Sequence, residues 1–192
     1  MRLKSISIVA LLIAGCASRQ PGPIAPAPDT TMIAPGVTMT LSRLTPLESG
    51  LDVSQLVQAR YQNRADTFLA TIQTSPGTVT VMVTMPSGPP LVTIVWEDGK
   101  ISGNKAPMLP DSMTPDHLLA DLMSVYASST TLNGALTGAK VVDDGTSRTI
   151  EQDGKVLVRI VRPAGDTWTG TASLHNLAFG YQLGIKSRRM SP

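Results

Sequence analysis

The sequence has a single cysteine, Cys16, and two histidines, His117 and His175, in 192 residues. One thiol cannot form a disulfide within its own chain. Neither histidine stands in a metal-binding spacing such as HExxH, and metal sites need several converging ligands. His117 falls in the first turn of a predicted helix and His175 in a predicted strand, so both are assigned to surface or core roles. Metal: none; cofactor: none. Charge of one sign is also missing, with sixteen Lys and Arg against fourteen Asp and Glu. Two of those cations, Arg2 and Lys4, lie in a segment that a signal peptidase would remove, and the remaining chain is nearly neutral. No domain-wide basic face is left for the phosphate contacts on which nucleic-acid binding rests. Lys186, Arg188 and Arg189 read as a solvated terminus. A long apolar run is absent too: Ile6 to Ile13, interrupted by Ser7, falls well short of the roughly 20 residues that cross hydrocarbon.

What is present begins with that short run. Behind the basic start Met1-Arg2-Leu3-Lys4 it has the outline of a signal peptide over residues 1–15. Its last four residues, Ile13-Ala14-Gly15-Cys16, resemble the bacterial lipobox, in which a cysteine is acylated and becomes the first residue of the mature protein. The resemblance implies a thioether-linked diacylglycerol on Cys16 and a third chain on its amine. One acyl chain binds membranes only marginally, whereas two or three anchor stably. Aspartate after the cysteine is the usual inner-membrane retention signal in such lipoproteins; Ala17 stands there. The expected address is the outer membrane, periplasmic face.

Residues 17–35 hold five prolines, no aromatic residue and only two charges, Arg19 and Asp29. Such a composition buries too little apolar surface to offset chain entropy, and proline keeps it extended. Residues 16–35 therefore read as an acylated cysteine and tether, 36–189 as one domain, and 190–192 as a tail. The domain is of single-core size.

Period-two alternation dominates the domain. Thr78 to Met85 puts Val79, Val81, Val83 and Met85 on one face and polar residues on most of the other, the pattern of a half-buried strand. Phe68, Ala70 and Ile72 repeat it before, and Val92, Ile94 and Trp96 after. Asp98-Gly99, Asp144-Gly145 and Asp153-Gly154 are hairpin signals, because a type I′ turn needs positive φ at both centres. Further strands are predicted near 37–44, 54–62, 139–143, 147–152, 155–162, 167–176 and 179–187. One segment breaks the rhythm: Thr114-Pro115-Asp116 suits a helix start, and Leu118, Leu119, Leu122, Met123 and Tyr126 form one stripe of a helix to about Ala127. A second short helix is placed around 129–136. The fold class is mainly β (α+β), a curved antiparallel sheet or incomplete barrel with one or two helices on its concave face.

Catalytic chemistry finds little footing. Asp143-Asp144 resembles a carboxylate pair but precedes glycine between two strands, where a hairpin turn is the better reading. Ser128 and Ser129 lack a nucleophile-elbow context. No active site is read, and the protein is expected not to be an enzyme. The apolar residues offer more. A helix on the concave side of a curved sheet leaves space that takes ligands with long hydrocarbon parts. The residues available are Phe68, Ile72, Val81, Ile94, Trp96, Leu119, Leu122 and Met123. Alternation alone does not distinguish a cavity lining from a packed core, and both readings stay open.

Thr84-Met85-Pro86-Ser87-Gly88-Pro89-Pro90-Leu91, the strand ending Trp96-Glu97-Asp98-Gly99-Lys100, Leu109-Pro110 and the helix Asp116 to Tyr126 resemble an uncharacterised family of Gram-negative outer-membrane lipoproteins. Arg148-Thr149-Ile150, Gly154 to Ile160 and Gly180-Tyr181-Gln182-Leu183 fit the same pattern. Members are sometimes encoded beside aryl-polyene pigment biosynthesis genes. That family is similar in turn to LolB, the outer-membrane receptor for lipoproteins, and to its soluble partner LolA. The resemblance implies an incomplete antiparallel barrel, helices over its concave side, a cavity for acyl chains, and a LolA-like periplasmic carrier as partner. LolB also projects a loop with an exposed leucine that helps hand lipid to the membrane. Met85, Pro86, Ser87 and Gly88 match that loop, with serine in place of the leucine. Losing the isobutyl group removes roughly 1.5 to 3 kcal/mol of insertion drive, with Met85 and Leu91 both assigned to strands. The expected function is accordingly the binding or transfer of an acyl-chain or other lipid-like molecule. The alternative is a structural lipoprotein that scaffolds an envelope complex.

Overall fold

A computed structural model describes residues 25–44 and 47–190. The expected signal peptide and Cys16 lie outside the described residues. Among those described there are fourteen strands and two α-helices: β1 (Ala25–Pro26), β2 (Thr30–Ala34), β3 (Val37–Thr40), β4 (Asp52–Tyr61), β5 (Arg64–Ser75), β6 (Thr78–Thr84), β7 (Pro90–Glu97), β8 (Lys100–Lys105), α1 (Pro115–Tyr126), α2 (Ser129–Ala135), β9 (Leu136–Thr137), β10 (Lys140–Asp143), β11 (Ser147–Gln152), β12 (Lys155–Val161), β13 (Gly170–Asn176) and β14 (Tyr181–Arg189). Eleven form one antiparallel sheet in the order β1-β8-β7-β6-β5-β4-β14-β13-β12-β11-β10. It is not closed into a barrel, and β1 and β10 remain its edges. The fold is thus mainly β, a curved antiparallel sheet with helices, as the alternation predicts.

Two meanders build the sheet. β4 to β8 run in sequence on one side and β10 to β14 on the other, and the last strand joins the first through pairs from Tyr181↔Tyr61 to Arg189↔Val53. Lys186, Arg188 and Arg189 are exposed to solvent, but they belong to a central strand that continues two residues past its predicted end. Composition could not show this, because the partner of β14 lies more than a hundred residues away.

Asp98 and Gly99 have φ of 48° and 78°, and Asp153 and Gly154 have 50° and 79°, the two positive values that a type I′ turn demands. The third signal resolves differently. Only Gly145 is positive there, while the Asp144 carboxylate accepts from the N–H groups of Thr146 and Ser147 at 3.1 and 2.6 Å, an Asx turn. Asp143 ends β10, and its carboxylate accepts from the Gly145 N–H of the turn at 2.9 Å.

The tether ends earlier than composition predicts. Residues 30–34 form β2, which pairs with β3 in a small sheet β2-β3-β9 and packs against α1. Ile33 and Ala34 are buried, and the Asp29 carboxylate accepts from the Ser42 N–H and hydroxyl at 2.7 and 2.8 Å. Proline content signals extended chain, and extended chain becomes a strand once a partner edge is at hand.

α1 starts at Pro115 behind an extended Thr114 whose side chain makes no capping bond. α2 has the real side-chain cap: Ser128 Oγ accepts from the Thr131 N–H at 3.1 Å. The first turn of α1 sits against β8 at Gly103, where a Cβ would lie 2.7 Å from Pro115 Cβ and 2.8 Å from the Thr93 carbonyl oxygen. Only glycine leaves room for the helix there.

Candidate functional site

Cross-strand register sets out the concave face residue by residue. Val53, Gln55, Val57 and Ala59 of β4 stand opposite Ile72, Ala70, Phe68 and Asp66 of β5. Ile72 and Ala70 continue to Val81 and Val83 of β6, and those to Ile94 and Val92 of β7. On the other flank Val57 and Ala59 meet Ile185 and Leu183 of β14. The structure brings the eight candidate residues together here. Phe68, Ile72, Val81, Ile94, Trp96, Leu119 and Met123 are buried members of one apolar cluster, and Leu122 packs against it half-buried. The Trp96 indole N–H donates to the Leu41 carbonyl at 3.3 Å. None of the eight lines either of the two surface clefts described for this protein.

The helix stripe is turned relative to its predicted position. Ala120, Ser124 and Val125 are buried together with Leu119 and Met123, while Leu118, Leu122 and Tyr126 are half-buried. Hydrophobic character locates a stripe but undervalues small residues such as Ala120 and Ser124, which are buried in a helix that packs against β2 as well as the sheet. Leu118 and Leu122 of α1 and Val57, Ala59, Val83 and Leu183 of the sheet are all partly buried and pack against the buried cluster, forming a half-buried apolar seam at its edge.

Polar groups pin α1 along this seam. Tyr181 donates its hydroxyl to Asp121 at 2.7 Å, lies 3.1 Å from His117 Nε2, and takes a bond from Asn176 at 3.3 Å. At the other end Tyr126 and Ser187 hydroxyls are 3.0 Å apart and the Gln55 amide donates to both. Trp168 stacks on Tyr126 with centroids 4.0 Å apart. Burial raises the Asp121 carboxyl to about 6, against the lowering influence of His117 and of the Tyr181 bond. Its folded-state value lies above its unfolded one, so the carboxyl favours folding in its protonated form. Stability should therefore fall as pH rises from about 4 to about 6 and stay lower above that. Asp121→Asn keeps an acceptor for Tyr181 and should flatten this limb, raising stability at pH 7.5 by on the order of 2 kcal/mol. Urea midpoints of both proteins at pH 4.5 and 7.5 measure it.

A buried ion cluster holds the C-terminal end of α1. Arg148 is fully buried; its Nη1 donates to the Ser124 carbonyl at 2.7 Å, and its Nε and Nη2 reach Asp143 Oδ2 at 2.8 and 2.7 Å. Arg162 Nη2 binds the other carboxylate oxygen at 2.5 Å. Burial works to raise Asp143, but bonds from Ser129, the Gly145 N–H and Arg148 outweigh it and hold the carboxyl at about 2. Neither polar network is legible in the sequence as a site. The one available signal was an arginine at an inward-facing position of β11, Arg148, directly opposite Asp143 across the β10–β11 hairpin.

The Met85, Pro86, Ser87 and Gly88 loop connects β6 to β7, and the Gly88 N–H donates to the Met85 carbonyl at 3.3 Å. Met85 is not in a strand, contrary to the alternation. Register slips after Val83, leaving Leu91 bulged and buried in β7 and Met85 exposed beyond the end of β6. The same rim carries the β4–β5 hairpin, the segment after β8 and the β13–β14 turn. Exposed Tyr61, Met85, Met108 and Leu177 all stand there.

Residues 52–189, the whole span from β4 to β14, match the model of an uncharacterised family described as protein of unknown function (DUF3261). The chain belongs to the DUF3261 family. No curated protein matches it. The DUF3261 match begins after β3, yet Val37, Met39 and Leu41 before it are wholly buried. In this chain, the preceding segment completes the core of the family domain.

Proposed function

We propose that this DUF3261 protein is a lipoprotein, acylated at Cys16 and held at the periplasmic face of the outer membrane. In this reading it is a non-enzymatic, LolB-like binder that takes an acyl chain or other lipid-like molecule from a periplasmic carrier and passes it to the bilayer or a partner. One observation carries the reading. Val57 and Ala59 of β4 and Leu183 of β14, all partly buried, lead along their strands toward the rim where Tyr61, Met85, Met108 and Leu177 are exposed. A group of exposed apolar side chains at one end of a β domain marks a contact surface for lipid or protein, and here it adjoins a seam of the same character. A chain entering at the rim would displace Leu118 and Leu122 from Val57, Ala59 and Leu183, with Phe68 next below.

The close burial of Ile72, Val81, Ile94, Trp96, Leu119 and Met123 favours the second reading, a scaffold with a solid core. A photoreactive phenylalanine analogue at Leu122, with exposed Val142 as control, separates the two in cells. Crosslinks to acyl species at Leu122 and none at Val142 support binding. Absence of lipid crosslinks at Leu118 and Leu122 alike leaves the scaffold.

Anchoring is tested separately. Cys16→Ser should leave an unprocessed precursor in the inner-membrane fraction, and radiolabelled palmitate should enter the wild type alone. Equal labelling of both proteins would refute acylation at this residue.

A further inference from the structure

The outward face of the sheet has its own cleft. It encloses about 360 Å³ over β4, β14, β13 and β12, within the size range of small-ligand sites. Its residues form two cross-strand rows. Arg60, Gln182, His175 and Arg159 are consecutive register partners across the four strands, and Gln58, Gly184, Ser173 and Val161 form the next row. Gly184 carries no side chain, which makes the hollow.

Charge on the outward face of these four strands is mostly positive although the chain as a whole is nearly balanced; beyond them, Glu151 of β11 takes a bond from the Thr149 hydroxyl, next to Arg159. Arg60, Arg159, Lys186 and Arg188 point outward from these strands, with His175 among them. The acid on the same face of the four strands is Asp52, at the far end of β4 from Arg60, about 26 Å away at the rise of a β-strand. Among the described residues neither Arg60 nor Arg159 forms an ion pair, while Arg148, Arg162 and Arg189 all do. Their Cα atoms are three strand spacings apart, about 14 Å, so both guanidinium groups can lean over the His175–Gln182 pair between them. Those two side chains are 3.4 Å apart, Nε2 to Nε2.

We propose that this cleft is an anion site that takes a phosphate group, carried by a phospholipid headgroup or as the free ion. Guanidinium forks match the paired oxygens of phosphate, and the His175 ring N–H and the Gln182 amide supply further donors. The site lies on the face opposite to the apolar seam and does not depend on it.

With two histidines in the chain, ring resonances report the site directly. The full-length lipoprotein in uncharged detergent micelles is titrated with inorganic phosphate and, separately, with glycerophosphoglycerol, the water-soluble headgroup of an anionic phospholipid. His175 should shift saturably while His117, on the concave side, stays put. Response to inorganic phosphate identifies the free ion as sufficient, and response to the diester alone identifies a headgroup site; either supports the proposal. Arg60→Gln with Arg159→Gln should weaken binding at least tenfold. Gly184→Val fills the hollow without altering charge, and should do the same while the urea midpoint stays near that of the wild type. An unmoved His175 with both probes, or full-strength binding in Gly184→Val, would overturn the site.

Discussion

The double variant Leu119→Ala, Met123→Ala is expected to be unfolded at 25 °C. Both side chains are almost wholly buried one helical turn apart, in the cluster that includes Ile72, Ile94 and Trp96. Truncating a close-packed Leu or Met costs roughly 2 to 5 kcal/mol, and a domain of this size has about 5 to 15 kcal/mol in all. The two sites are neighbours, so their costs do not simply add, but a combined cost of about 4 to 10 kcal/mol matches or exceeds the margin of a domain in the lower half of that range. Leu122→Ala, at the half-buried seam, should cost only about 1 kcal/mol. Urea melts of the three proteins rank these effects. A double variant that keeps nearly the parental midpoint would mean that Leu119 and Met123 border open space, and the cavity would then extend beneath the helix instead of stopping at the seam.

Arg148→Ala should cost about 3 to 5 kcal/mol, the range for breaking a buried ion pair by removing one partner. The loss leaves Arg162 as the one cation paired with Asp143 among the described residues and strips the Ser124 carbonyl of its guanidinium donor. Lysine is no substitute, because one ammonium does not present the planar fork that reaches Asp143 and the Ser124 carbonyl together. The pH dependence follows from Asp143. Its folded-state value, about 2, lies below the unfolded one, so its stabilisation is present above about pH 4 and is lost as pH falls toward 2. Wild type should lose stability over that window, and Arg148→Ala should lose somewhat less, since the Ser129 and Gly145 bonds to the carboxylate remain. Hydrogen exchange at the Ala127 N–H, which closes α1 on the Met123 carbonyl, should quicken in the variant if the cluster fastens the helix end.

Much of the architecture was legible because a half-buried strand repeats every two residues. Val79, Val81 and Val83 face inward together, as do Val92, Ile94 and Trp96, and the Asp98-Gly99 and Asp153-Gly154 turns have the backbone their residues require. The eight apolar candidates all belong to one apolar cluster or pack against it, since burial of apolar area is what alternation encodes. Whether they form a lining or a core was not encoded, because both uses demand the same side chains. The departures share a cause. β2 reads as tether and Met85 as strand from local composition, and a distant partner in the first case and a bulge in the second decided otherwise.

Local sequence by itself determined where the chain is extended, where it turns, where the single long helix begins, and that the domain is mainly β. It also carries the expectation of acylation at Cys16, which rests on four consecutive residues. Tertiary structure alone decided that β14 closes on β4, that Arg148 and Asp143 fasten α1, that Tyr181 meets Asp121, and that Arg60 and Arg159 share one outward row. Local preferences act within a few residues and are readable one segment at a time. Pairings between strands remote in sequence depend on which edges and faces remain free when the sheet assembles, and that is a property of the whole chain.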